Sequence, residues 1–380
     1  MKYINKKRLV DVFCELARIP SPSGQEEKIT NVLIGKLEHL GLTVQKDTYG
    51  NIVAKLAGKG ESIILCAHMD TVSIGEGKKI NPVVKEDVIT SDGTTILGAD
   101  NKDSIAAIIE ALVTIKENGL SHRSVEVVFT REEEAISRGA KNLDLSKLLG
   151  KECIISDSSE LYGTITVSAP YCFRFDIEVI GKRSHPKEPE KGVNVAAIMA
   201  KAISLMPLGR IDEFTTSNIA FQSLGLKGII DNPEKKIVDL YTENRNTVPD
   251  LGIILGEVRG AKIETVTNSL SQIESVFKEV AVSLGGNSSF KYDKLADGYF
   301  FEESDPLISM VSRIVSAQNV PIRYFNSIGG SDANILNARG IKTVVVSSAH
   351  RDNHKVTEYL VIGDLMKLAN FYVQLLTNVE

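Results

Sequence analysis

The chain has 380 residues, of which 43% are hydrophobic and 24% charged, enough for two or three domains of ordinary size and a sizeable core. Its 44 basic and 49 acidic residues leave a net charge of -5, which argues against a nucleic-acid or membrane-surface partner, since either would call for a basic patch. No apolar run approaches the roughly 20 residues needed to span a bilayer, and the N-terminal MKYINKKRLVDVFCELA carries charges inside its apolar pattern, so it reads as an amphipathic helix and the expected location is cytoplasmic.

Helical spacing of apolar positions predicts helices over 7–18 and 25–40, with Ser21, Ser23 and Gly24 breaking the chain between them. Short β-rich runs follow: LTVQK, NIVAKLA and SIILCAHMDTV. VVKEDVITS and TTILGA are expected to form a hairpin turning at Asp92-Gly93. A helix is predicted at about 102–118, then the strands VEVVFT and ECIIS. Apolar strands alternating with helices imply an α/β domain whose mainly parallel sheet is covered on both faces. Cys14, Cys66, Cys153 and Cys172 form no C-x-x-C pair and read as buried thiols.

Beyond residue 168 the pattern changes. The order becomes strand (171–180), helix (193–206), strands near 217–224, 237–242 and 253–259, helix (262–284) and strand (288–295). Strands adjacent in sequence and more amphipathic point to a small antiparallel sheet with two helices on one face. From about 298 the alternation returns, with a helix over 304–318 and the apolar strand TVVVSS. The expected division is therefore a discontinuous first domain, 1–167 and 298–380, into which an α+β domain, 168–297, is inserted.

Open parallel sheets build their sites beyond the carboxyl ends of the strands. Several predicted strands end there in acids or histidines. In SIILCAHMDTV, His68 and Asp70 are two apart and share a strand face. A zinc-binding histidine usually donates its other ring nitrogen, often to a carboxylate, and His68 with Asp70 fits that need. Asp100 follows TTILGA, where a plain helix cap is the simpler reading. VEVVFT runs into Glu132, Glu133 and Glu134, a solvated turn unless one acid binds metal and another takes a proton from water. Asp157 follows ECIIS, and both His350 and His354 follow TVVVSS. Singly these are weak signals. Together they supply two sites of imidazole and carboxylate without thiolate, a donor set that suits zinc, with manganese or cobalt also fitting.

With these residues in hand, the chain resembles the dizinc amidohydrolases that include aminoacylase, carboxypeptidase G, succinyl-diaminopimelate desuccinylase and peptidase T. The likeness runs from about residue 10 to 375, through H-M-D-T-V at 68–72, G-A-D-N-K at 98–102, F-T-x-x-E-E at 129–134, Asp157, G-K-x-S-H-P at 181–186, G-G-S-D-A-N at 329–334 and H-x-x-x-E at 354–358. The resemblance implies a zinc-peptidase catalytic domain, and an inserted lid or dimerisation domain with a four-stranded antiparallel sheet and two helices. It makes Asp100 the ligand shared by two zinc ions, Glu134 and His354 the rest of one site, and His68 and Asp157 the rest of the other. Glu133 matches the general base, and Asp70 the partner of His68. His354 is preferred to His350 because Glu358 follows it by four. His185 matches a histidine that helps stabilise the oxyanion. Asn246 and Arg259 match N-x-V-P-D…R, whose members bind the substrate's carboxylate. Residues 47–51, D-x-Y-G-N, together with G-A-D-N-K and F-T-R-E-E-E, look closest to the peptidase T-like branch. The implied activity is removal of the N-terminal residue from tripeptides. Carboxypeptidase action, or deacylation of an N-acyl amino acid, is the alternative on the same scaffold. The inserted domain often carries a dimer interface in such proteins, although monomers exist, so the resemblance leaves both a homodimer and a monomer open. Ala135-Ile136-Ser137 stands where the family carries a small hydrophobic–Gly pair, and the segment before N-x-V-P-D is longer than usual.

Overall fold

A computed structural model describes residues 3–75, 77–231 and 246–378. In chain order its first part holds helices α1 (Lys6–Ala17) and α2 (Glu27–His39), then strands β1 (Thr43–Lys46), β2 (Ile52–Leu56), β3 (Lys59–His68), β4 (Val83–Val84) and β5 (Val88–Thr90). Helix α3 (Lys102–Glu117), β6 (Arg123–Thr130), α4 (Arg138–Asn142), β7 (Glu152–Ser158) and β8 (Thr164–Ala169) follow. The middle part has β9 (Tyr171–Ile180), α5 (Val195–Leu205), β10 (Gly209–Arg210), β11 (Thr216–Gly225), β12 (Leu251–Gly260), α6 (Ile263–Ser283) and β13 (Asn287–Ala296). The last part has β14 (Tyr299–Phe300), α7 (Pro306–Ser316), β15 (Arg323–Asn326), α8 (Asp332–Ala338), β16 (Lys342–Ser347), β17 (His350–Arg351), β18 (Tyr359–Val361) and α9 (Ile362–Thr377). The predicted strand at 237–242 lies outside the described residues.

Two compact units divide the chain: residues 1–168, 299–327 and 331–380, and residues 169–298 with 328–330. The first unit is built on a nine-stranded sheet in the order β1-β2-β6-β3-β7-β16-β8-β14, with β15 also on β8. Its centre, β6-β3-β7-β16, is parallel, whereas β1, β2 and β8 join it antiparallel. The parallel sheet read from the sequence is thus the middle of a mixed one. Its central strands are apolar on both faces, as covered parallel strands must be: residues 63–68 of β3 and 125–130 of β6 are all buried. Helix α3 is buried almost all round, including Ile105, Ile108 and Leu112, because it packs against α1, α9 and β3 at once. On α1, Leu9, Phe13 and Leu16 recur at helical spacing and are fully buried. Each such side chain contributes roughly 1.5–3 kcal/mol of burial free energy.

The second unit has an antiparallel sheet in the order β10-β11-β12-β9-β13. Among the described residues it carries five strands, against the four that the resemblance implied, one of them the two-residue β10. Phe173, Phe175, Ile177 and Val179 alternate along β9 and form one core with Ile198 and Met199 of α5 and Leu270, Ile273 and Phe277 of α6. Gly256 of β12 is required there, since a Cβ would sit 2.3 Å from the Phe175 ring.

A hairpin does form near residue 85, but not where the sequence put it. Val83 pairs with Thr90 and Val84 with Ile89, so the turn falls at 85–88 and both strands lie within VVKEDVIT. TTILGA forms no strand; the N–H groups of Gly98 and Ala99 at its end, and of Asp100 after it, donate to the Glu358 carboxylate at 2.7, 2.9 and 3.2 Å.

Candidate metal centre

Parallel register gathers the site. His68 pairs with Thr130 and Cys66 with Ile155, so β3, β6 and β7 run out at one edge of the sheet, carrying His68, the 131–134 turn and Asp157. Strand β16 lies parallel on β7 and delivers the 348–358 segment to the same edge. A further short sheet, β17-β18-β5-β4, frames the loop that bears His354. Asp100 enters from the start of α3, and the Asp100–Asn101 peptide is cis.

Two triads result. His68, Asp100 and Asp157 form one, and Asp100, Glu134 and His354 the other; within each, the donor atoms all lie within 4.8 Å of one another. His68 Nε2 is 3.0 Å from Asp100 Oδ1 and 3.6 Å from Asp157 Oδ1. On the other side, His354 Nε2 is 2.7 Å from Glu134 Oε1 and 3.3 Å from Asp100 Oδ2. Asp100 faces both triads, one oxygen to each. Asn353 Nδ2 donates to Asp100 Oδ2 at 2.7 Å, and the Asn101 amide donates to Asp157.

This arrangement fits divalent cations. His68 Nδ1 lies 2.9 Å from the Asp70 carbonyl, an acceptor only, so Nδ1 carries the proton and the Nε2 lone pair is aimed at two carboxylates. Electron pairs facing one another in a buried site call for a positive charge between them. The pKa shifts have the same origin. Burial opposes ionisation of His68, yet Asp100, Asp157 and Asp70 hold its imidazole well above the ordinary range. His354 is pushed up to about 10 by its hydrogen bonds to Asp100 and Glu134. With nitrogen and oxygen donors and no thiolate, both triads suit zinc, manganese or cobalt.

Asp70 has a role that its position two residues after His68 did not reveal. The carbonyl, not the carboxylate, makes its shorter contact to His68; Oδ1 is 3.4 Å from Nδ1. Its fully buried carboxylate accepts Glu133 N at 2.9 Å, Glu134 N at 3.1 Å and Ser23 Oγ at 2.7 Å. Asp70 therefore fixes the backbone of the double glutamate. The turn is closed behind it by Ser137 N to Glu133 O, Arg138 N to Glu132 O and Gly139 N to Arg131 O. A Cβ on Gly139 would lie 2.1 Å from the Arg131 carbonyl oxygen, so this closure needs glycine. Buried Glu26 clamps Arg131 from outside, at 2.9 and 2.7 Å. Glu133 itself has its carboxyl held well above the usual range, first by burial and then by the charges of Asp157, Asp332 and Glu134.

The two histidines after β16 are separated by their partners. His350 is buried, and its N and Nδ1 both lie within 3.1 Å of Asp103 Oδ2, which also accepts Ser348 Oγ and Ala349 N. That pairing locks it to the first turn of α3, leaving His354 in the triad. Glu358 holds the backbone on which Asp100 sits, which is how a glutamate four residues after His354 serves the centre. Asp103, Asn353 and Ser23 carried no sequence signal, since each acts through a partner at least 47 residues away.

His185, Asn246 and Arg259 belong to the second unit. His185 is exposed, and its Nδ1 accepts Lys187 N at 3.2 Å. Asn246 is an exposed turn residue. The Arg259 guanidinium is engaged by Glu257 of the same strand face through two bonds, of 2.9 and 3.0 Å.

Known proteins share this architecture over the whole chain. The Bacillus subtilis protein YqjE, itself uncharacterised, is 33% identical, with 98% of each chain covered. The crystal structure of aminopeptidase PepT from Bacillus cereus superposes with a TM-score of 0.89 at 32% identity, covering 99% of both chains. A tripeptidase from Staphylococcus aureus gives 0.90 at 31%, covering 99% of this chain and 98% of its own. The family model for peptidase family M20/M25/M40 matches residues 64–378, and the chain belongs to that family.

Proposed function

We propose that this protein is a metallo-exopeptidase with a two-metal site that removes the N-terminal residue from tripeptides. The observation that carries the reading is Asp100 standing between two triads with Glu133 beside them. The likeness to an aminopeptidase and a tripeptidase at about 0.9 in TM-score supports the choice of substrate.

Divalent ions held by His68, Asp100 and Asp157, and by Asp100, Glu134 and His354, would polarise the scissile carbonyl and acidify water in the site. Zinc is the favoured ion. Glu133 accepts the proton of the attacking water on its carboxylate and returns it to the leaving amine nitrogen. Burial raises its carboxyl above the usual range, so it takes up a proton more readily than an ordinary glutamate does. Asp70 keeps Glu133 in place through the backbone bonds. In this reading His185 stabilises the oxyanion, Asn246 and Arg259 receive the peptide carboxylate, and residues 168–297 act as a lid and as the surface for a homodimer. Arg259 would have to exchange Glu257 for the substrate. Among the described residues no helix is long and apolar enough to cross a membrane; a cytoplasmic enzyme acting on short peptides accords with that.

The test is to load the protein with zinc, incubate it with Leu-Gly-Gly and identify the products by mass spectrometry. Free Leu with Gly-Gly is expected. Leu-Gly with free Gly would reverse the polarity to carboxypeptidase. Cleavage of N-acyl amino acids alone would move the assignment to a deacylase.

A further inference from the structure

The turn that carries Glu133 is strained in an unusual way. Glu132, Ile136 and Ser137 all have positive φ, at 51, 67 and 49°. Side chains with a Cβ rarely adopt that region, and such residues persist where something else requires them. Glycine would take the Ser137 conformation freely. The backbone bond from Ser137 N to Glu133 O, 2.7 Å, would survive that change. What glycine would lose is the hydroxyl.

That hydroxyl is buried and lies between two carboxylates. Ser137 Oγ is 3.5 Å from Glu133 Oε1. On its other side it acts on Asp332, a buried acid bound through one oxygen to Thr130 Oγ1 at 2.6 Å. The other oxygen, Asp332 Oδ1, has no hydrogen-bond partner among the described residues. The half-buried Glu133 and buried Asp332 carboxylates repel, and the Ser137 hydroxyl stands beside both. A contact of 3.5 Å is long for a hydrogen bond, and such bonds in substrate-free enzymes tighten in the reacting complex.

We infer that Ser137 is a positioning residue, whose hydroxyl donates to Glu133 Oε1 and turns the other carboxylate oxygen toward the attacking water, and that the left-handed backbone at 137 is retained to place it there. The inference rests on Glu133 being the proton acceptor. No bond is made or broken by Ser137; it holds the acceptor in line through the proton transfer.

Ser137→Gly and Ser137→Ala separate the hydroxyl from the backbone. Glycine relaxes the strain and alanine keeps it. Losing one bond to a charged group predicts that kcat falls about tenfold in both variants. KM for Leu-Gly-Gly and the bound-metal stoichiometry should match the parent, and Tm of the glycine variant should be no lower than that of the alanine variant. Parental kcat in Ser137→Gly would overturn the inference, as would loss of metal in that variant. So would a tenfold or larger difference in kcat between the two, which would assign the effect to backbone. Should the alanine variant fail to fold, the glycine variant decides alone. Glu133→Gln is measured alongside. Parental turnover there would remove the proton-acceptor reading and this inference with it, whereas an inactive Glu133→Gln beside a fully active Ser137→Gly refutes the role of Ser137 alone.

Discussion

The two triads share Asp100 but are held in opposite ways. In the inner one the His68 side chain is 3% exposed, anchored by the Asp70 carbonyl at the end of a buried strand. In the outer one the His354 side chain is 44% exposed, on a loop where Asp352 and His354 both take positive φ. Rigid, dehydrated ligands release an ion slowly, whereas a loop-borne histidine exchanges readily. The lesson is that one carboxylate can join a preformed half-site to an adjustable one.

The most damaging way to break the pair is through the shared residue. Asp100→Ala should abolish binding of both ions and lower kcat/KM about a thousandfold or more; full retention of either ion, by metal analysis, would contradict the shared role. His354→Ala should remove one ion and leave the inner one, so that titration with zinc shows a single tight site. In the parent, a chelator should strip the ions in two phases. One phase, or two sites lost in His354→Ala, would mean the halves are not independent.

Smaller effects come from groups behind the ligands. Glu358→Gln replaces a charge that collects three backbone N–H groups beneath Asp100, and should weaken metal binding about 10–100-fold, as changes to such supporting residues do. Equilibrium dialysis would read it. Asp332→Asn gives a pH test. Burial, the largest cause, raises the Asp332 carboxyl to about 6. A raised carboxyl contributes stability below the unfolded pKa of about 3.9, lost as pH climbs through about 6. The asparagine variant has no such loss. Its Tm relative to the parent should therefore rise from pH 4 to pH 7, and a constant difference would mean that folding does not raise the Asp332 carboxyl.

Sequence patterns reached far into the fold where the signal was local. Strand β9 spans 171–180 as its alternation foretold, and α3 spans 102–117 against an expected 102–118. The hairpin at 83–90 was misplaced because Asp92-Gly93 does make a turn, with Thr94 N on Asp92 Oδ1, but no strand follows it. Two donors at the end of that run, on Gly98 and Ala99, go to Glu358, some 260 residues away, and no window on the sequence contains both partners.

Length, alternation and the ends of apolar runs therefore determined by themselves that this chain builds a strand–helix layer interrupted by an antiparallel segment, with acids and histidines at strand ends. Periodicity suffices for this, since neighbours a few residues apart share one face. Tertiary structure alone decided that Asp103 takes His350, that Asp70 holds the Glu133–Glu134 backbone with its carboxylate, and that Ser137 stands between two acids. Each of these depends on donors and acceptors that meet only once the sheet edge is assembled, where hydrogen-bond geometry at about 3 Å, not sequence spacing, selects the partner.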